Sequence, residues 1–219
     1  MGTDIHCQLE YKKNGKWYWA LANLPEELDR ESFNPLNFNR SYNLFAILAN
    51  VRNGYGFAGC DTGDEYNPIS EPKGLPEDIS EELKKYHEEN EILGDHDFSY
   101  LTKDELENYD WEQKITNRGW VGIDQYKVFK EKGKPESWSG GVSGSMVEHL
   151  TNKEMENIIE GKTLTIENMR YVTNVEWEET YIQSVPWDYY FKLTTLEYFL
   201  NWDKKEEIEN VRIVFGFDS

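Results

Sequence analysis

The sequence predicts an α+β fold, a single domain over residues 1–219 with a mixed or antiparallel sheet packed against several helices. Three observations carry that prediction. The opening "MGTDIHCQLEY" and the closing "VRIVFGFDS" both alternate with period two, as strands do. "YNLFAILANVRN" instead spaces Leu44, Ile47, Leu48 and Val51 at helical intervals. Between these segments strand-like and helix-like patterns mix, and no internal repeat divides the chain. Aromatic residues make up 15% of the 219 positions, with eight Trp and fourteen Tyr, which supplies a core and argues against disorder.

Taken in order, residues 3–11 and 16–22 flank "KKNGK", whose Asn14-Gly15 pair predicts a two-residue hairpin turn. Ile5, Cys7, Leu9 and Tyr11 fall on one strand face, and Asp4, His6, Gln8 and Glu10 on the other. "NLPEELDRESFNPLNFN" reads as a loop. The helix that follows takes Ser41 as its cap and ends at Asn53-Gly54. Capping boxes at Asp78/Glu81, Thr102/Glu105 and Thr151/Glu154 predict three more helix starts, the last helix stopping at Gly161. "WVGIDQYKVF" (120–129) and "MRYVTNVEWEETYIQ" read as strands, "SWSGGVSGSM" as a mobile loop near a pocket mouth, and "PWDYYFKLTTLEYFLNW" as a helix. The terminal strand should share a sheet with residues 3–11, placing Asp4, His6 and Arg212 on one side.

The formal net charge is −19, and it is concentrated. Residues 77–112 hold fourteen acidic and three basic residues, net −11, whereas residues 1–76 hold ten and seven, net −3. That balance excludes a general nucleic-acid binder, which needs a basic surface. The acidic run reads as a solvated helical segment, or as a surface that docks a basic factor or mimics DNA. No stretch is long and apolar enough to span a membrane. Cys7 and Cys60 give neither a disulfide framework nor a zinc pattern, and the expected location is the cytoplasm.

Polar groups with chemistry gather from distant segments. Asp4 and His6 lie about 7 Å apart on one strand face. Arg52 and Asn53 sit near the end of the "LFAILA" helix, where the macrodipole explains a cation. Arg40 and Tyr42 sit at its start, where the macrodipole disfavours one. His96 lies between two aspartates in "GDHDFSYLT"; Arg118 and Trp120 flank Gly119 at the start of a strand. Arg212, the one charge inside the terminal strand, should meet a carboxylate, with Asp4 or Asp61 in reach. His87 and His149 read as solvent-facing. The Gly-rich "NGYGFAGCDTGD" lacks the Lys-Ser/Thr of a phosphate loop, and no His or Cys spacing supports a metal, so no cofactor is expected.

"MGTDIH", "RSYNLFAILANVRNGYGFAG", "PISEPKGLPEDIS", "SYLTKDELENYDW" and "VRIVFGFDS" together resemble a family of phage and prophage proteins. The resemblance covers residues 2–6, 40–80, 96–112 and the C-terminal strand. It implies a setting rather than a chemistry: a small phage protein in the host cytoplasm, of the kind that sequesters or cleaves nucleotide signals of bacterial immunity. The expected function is sequestration of a cyclic nucleotide or an ADP-ribose derivative. Asp4, His6, Arg40, Tyr42, Arg52, Asn53, His96, Arg118, Trp120 and Arg212 are the candidate ligand residues. Two alternatives stand beside it. One is a phosphodiesterase with His6 and His96 as base and acid and Asp4 orienting His6; the other is an acidic interaction protein. The expected partner is a small nucleotide, without nucleic acid or membrane; a homo-oligomer is left open.

Overall fold

The computed structural model describes residues 2–25, 28–200 and 207–218. In chain order the elements are β1 (Asp4–Lys13), β2 (Lys16–Trp19), α1 (Arg30–Phe33), α2 (Tyr42–Ala49), α3 (Glu81–Leu93), β3 (His96–Thr102), α4 (Lys103–Asn108), β4 (Lys114–Gly122), α5 (Ile123–Lys132), β5 (Val147–Leu150), α6 (Asn152–Ile159), β6 (Arg170–Thr180), α7 (Tyr181–Ser184), α8 (Trp187–Thr194) and β7 (Asn210–Asp218). The fold is α+β, as the alternation and helix spacing predict. The chain divides into two compact units. The first comprises Met1–Asn53, Tyr66–Glu112 and Ile182–Ser219, the second Gly54–Glu65 and Gln113–Tyr181.

The first unit is built on an antiparallel sheet in the order β2-β1-β7-β3. Asn14 and Gly15 form its first turn with φ of 51° and 74°, the left-handed pair a tight hairpin needs. β1 and β7 pair along their length, Ile5 opposite Phe217, His6 opposite Gly216 and Glu10 opposite Arg212. One sheet face carries Ile5, Cys7, Leu9, Ile213, Phe215 and Phe217, all buried, and Phe45 of α2 meets Phe217 edge-on at 5.3 Å.

The opposite face carries Asp4 and His6, both partly exposed, and an internal polar layer at Gln8 and Glu10. Gln8 and Glu10 are fully buried. Gln8 donates to the Tyr86 hydroxyl at 3.3 Å and accepts from the Trp19 indole at 3.0 Å. Glu10 accepts from Arg212 at 2.7 Å and from the Ser80 backbone N–H and hydroxyl at 2.8 and 2.6 Å. Arg212 also donates to Asp78 at 2.7 Å and lies 3.9 Å from the centre of the Trp17 ring. Its carboxylates are therefore Glu10 and Asp78, not Asp4 or Asp61. The register decides this, because Glu10 stands directly across from Arg212.

Other expectations need correction. The helix predicted to run to Asn53-Gly54 ends at Ala49, because Asn50 turns left-handed at φ 60° and closes it. Ser41 makes no capping bond with its side chain. The Asp78/Glu81 box does not form: Ser80 holds the cap position of α3 without a capping bond from its side chain, Asp78 is engaged by Arg212 and the Trp17 indole, and the Ser80 hydroxyl donates to Glu10. The boxes at Thr102/Glu105 and Thr151/Glu154 do form, with both bonds of each present. The 77–112 segment is helical only in part, since β3 lies between α3 and α4. Residues 201–202 of the predicted "PWDYYFKLTTLEYFLNW" helix lie outside the described residues; within the rest, α8 ends at Thr194.

The second unit holds a sheet in the order β4-β6-β5, antiparallel between β4 and β6 and parallel between β5 and β6, with α6 as the crossover. The predicted strand at 120–129 is the end of β4 followed by α5, because Ile123, Tyr126 and Phe129 also fit a helical stripe packed on Val121 and Val175. Arg118 and Trp120 thus lie within a strand, not at its start. In "SWSGGVSGSM", Ser139 is paired to Trp120 by two backbone bonds of 2.8 and 3.1 Å, and Trp138 packs edge-on against Trp177 at 5.3 Å.

Candidate functional site

In the first unit a cleft of about 420 Å³ lies at the end of α2, lined by Thr3, Asn50, Arg52, Glu71, His96 and Asp97, with Ala49, Val51 and Pro72 as its apolar wall. Thr3, fully buried, organises it. Its N–H donates to the Tyr42 hydroxyl at 3.4 Å, its carbonyl accepts from Arg40 Nε at 3.1 Å, and its hydroxyl accepts from Arg52 Nε at 2.9 Å. The Arg52 guanidinium lies over the Tyr42 ring, 5.9 Å from its centre. Arg40 and Tyr42, two residues apart, and Arg52, ten residues further on, thus converge on one threonine.

Local conformation makes this convergence possible. Once Asn50 has ended the helix, the chain turns back through Arg52, whose φ of 57° is unusual for a side chain that size. Asp97 is left-handed as well, at φ 50°. Such positions cost about 1–3 kcal/mol each and cluster at ligand clamps. The Arg40 guanidinium lies close against Gly2, within 2.1 Å of where a Cβ would stand.

Charge in the cleft and beside it is mixed, with Arg40 and Asp4 outside the lining. Arg40 reaches both carboxylate oxygens of Asp4, one of them at 2.9 Å, and this bond holds the Asp4 carboxyl below its usual range against a smaller opposing effect of burial. His96 Nδ1 is 2.8 Å from Asp97, and Glu71 accepts from the Asn50 amide at 2.8 Å. His96 opens β3 with the adjacent Asp97 carboxylate in place.

The remaining candidates lie elsewhere. His6 is oriented by Asp95 at 2.9 Å, not by Asp4, which Arg40 occupies. His6 stands opposite Gly216 and His96 opposite Phe217, and the register of β3 shifts between His96 and Ser99. Asn53 is structural: its amide donates to the Tyr66 carbonyl at 2.7 Å and accepts the Tyr66 N–H at 2.6 Å. Arg118 and Trp120 belong to the second unit, where Arg118 faces Asp61 at 3.0 Å, Asp64 at 3.8 Å and Glu176 at 3.7 Å. Trp120 meets His149 edge-on at 4.6 Å, and His149, also bonded to the Val142 carbonyl at 2.9 Å, is exposed as expected. Among the described residues no three His, Cys, Asp or Glu are placed to hold a metal ion.

Sequence reasoning missed Thr3, Glu71, Asp95, Asp97 and His87. Thr3 carried one usable signal, a hydroxyl on the apolar face beside Ile5. His87, expected to face solvent, is fully buried, edge-on to Tyr86 at 5.3 Å and to Phe98 at 5.5 Å. Neither of its ring nitrogens has a hydrogen-bond partner among the described residues, and burial pushes its pKa from 6.5 down to about 4. Phe98 holds its place over Gly216, where a Cβ would fall 2.6 Å from the ring.

No family model, curated protein or solved structure matches the chain. No helix among the described residues is long and apolar enough to cross a membrane.

Proposed function

We propose that this protein binds and sequesters a small nucleotide-type ligand in the Thr3 cleft, acting as a phage counter-defence protein against a nucleotide immune signal. The convergence of Tyr42, Arg40 and Arg52 on buried Thr3 carries the reading. A volume of about 420 Å³ suits a small ligand. A charge-assisted bond from Arg52 contributes about 1.5–3 kcal/mol, and a base resting on the Ala49, Val51 and Pro72 wall adds apolar burial.

Calorimetric titration with cyclic mononucleotides and ADP-ribose tests this. Arg52→Gln should weaken the bound nucleotide at least tenfold with little change in melting temperature, and the ligand should be recovered intact after denaturation. Unchanged affinity in Arg52→Gln, or recovery of a cleaved product, contradicts the reading.

A further inference from the structure

Independently of the nucleotide reading, we infer that two copies of this chain associate through the outer face of α8. Trp187 and Phe191 stand one helical turn apart and are 65% and 47% exposed, whereas Tyr189 and Leu193 on the other side of the same helix are buried. Trp187 is braced from below. Its ring packs on Tyr190 at 5.3 Å, and Tyr190 on Trp111 and Trp111 on Tyr109 at the same spacing, so a row of rings runs outward from buried Trp111. Interface centres are built on rigid aromatic anchors of this kind. No residue of α8 lines the Thr3 cleft.

Charge identifies the occupant. At −19 each, two copies repel wherever their carboxylates meet, and they approach best over neutral ground. Trp187, Tyr190, Phe191 and Thr194 fall on one side of α8, and none is charged. Asp188 and Lys192 lie on the flank, and Lys192 is turned back over the Phe38 and Tyr189 rings at 5.7 and 5.8 Å. A basic partner, the kind this chain's charge would otherwise attract, finds only Asp188 on this helix. A two-fold axis through the middle of α8 sets the two helices antiparallel, opposes their dipoles and brings Tyr190 and Phe191 against their own counterparts. Trp187 and Phe191 expose roughly 250 Å² per copy. Two copies thus supply about half of the roughly 1,000 Å² that a specific interface must clear, with Pro186, Tyr190 and Thr194 bordering it. The contact is weak and reversible.

Sedimentation velocity of the full chain from about 5 to 500 µM, a range that covers weak interfaces, should show a reversible monomer–dimer equilibrium. Raising NaCl from about 50 to 500 mM should strengthen it at least twofold, because salt screens the net charge. Phe191→Glu should weaken association at least tenfold. Tyr55→Glu adds the same charge at an exposed aromatic of the second unit and should change it less than twofold. If Phe191→Glu lowers the melting temperature, Trp187→Ala takes its place and should weaken association at least fivefold. A chain that stays monomeric throughout, a dimer that salt dissociates, a dimer that survives both α8 variants, or equal effects of Phe191→Glu and Tyr55→Glu overturns the inference.

Discussion

Replacing Arg212 with Met should destabilise the first unit by about 3–5 kcal/mol, the usual result of removing one partner from a buried ion pair. The Arg212 side chain is 4% exposed and that of Glu10 is 0%, so the substitution leaves a carboxylate with no compensating charge and no route to water. Asp78 suffers less, being 63% exposed. The lost contact with the Trp17 ring adds to the cost. Adding Glu10→Gln to Arg212→Met should recover more than half of the loss, because the stranded charge disappears while the Ser80 bonds can persist. Urea unfolding of the single and double variants measures both effects. A loss below about 1 kcal/mol in the single variant would mean that water reaches Glu10.

The second large effect is on pH dependence. His87 titrates near its ordinary 6.5 in the unfolded chain and at about 4 in the folded one. Between those values the unfolded chain binds more protons, so stability rises with pH across the window and is lost as pH falls through it. Burial is the main cause; Asp95 opposes it and His6 reinforces it. The shift corresponds to roughly 3 kcal/mol lost between pH 7 and pH 4. His87→Leu should flatten this part of the profile and raise stability at pH 5, since it also removes two unpartnered ring nitrogens. Chemical denaturation of both proteins at half-unit pH intervals would show it, and parallel profiles would exclude His87 as the source.

What was legible in the sequence was local. Asn14-Gly15 specifies its turn through two left-handed residues, and Thr102 and Thr151 reach only three residues ahead to complete their boxes. The alternation of residues 4–11 and 211–217 is strong enough that these strands pair as expected. The misreadings arose where tertiary neighbours decide. Asp78 and Ser80 have the chemistry of helix caps, but buried Arg212 and Glu10 compete for them. Residues 120–129 satisfy two periodicities at once, and Gly122 marks the switch from one to the other. No local pattern could show that the face with Gln8 and Glu10 is covered, since the cover comes from residues 78–87, about seventy positions away. Of the candidate site, Arg40 stood out by a cation at a helix start, where the macrodipole disfavours it, and Tyr42, Arg52 and His96 by their side-chain chemistry alone. Thr3 was not, because its role is to receive the others.

Hydrogen–deuterium exchange with and without the tightest-binding nucleotide tests the central claim most directly. Bound ligand should slow exchange at residues 3–4, 50–52 and 96–97, which line or abut the Thr3 cleft, and leave β5 and β6 of the second unit unchanged. Slowed exchange confined to residues 54–65 and 113–181, with no change at 50–52 and 96–97, would place the site in the other unit and contradict the account.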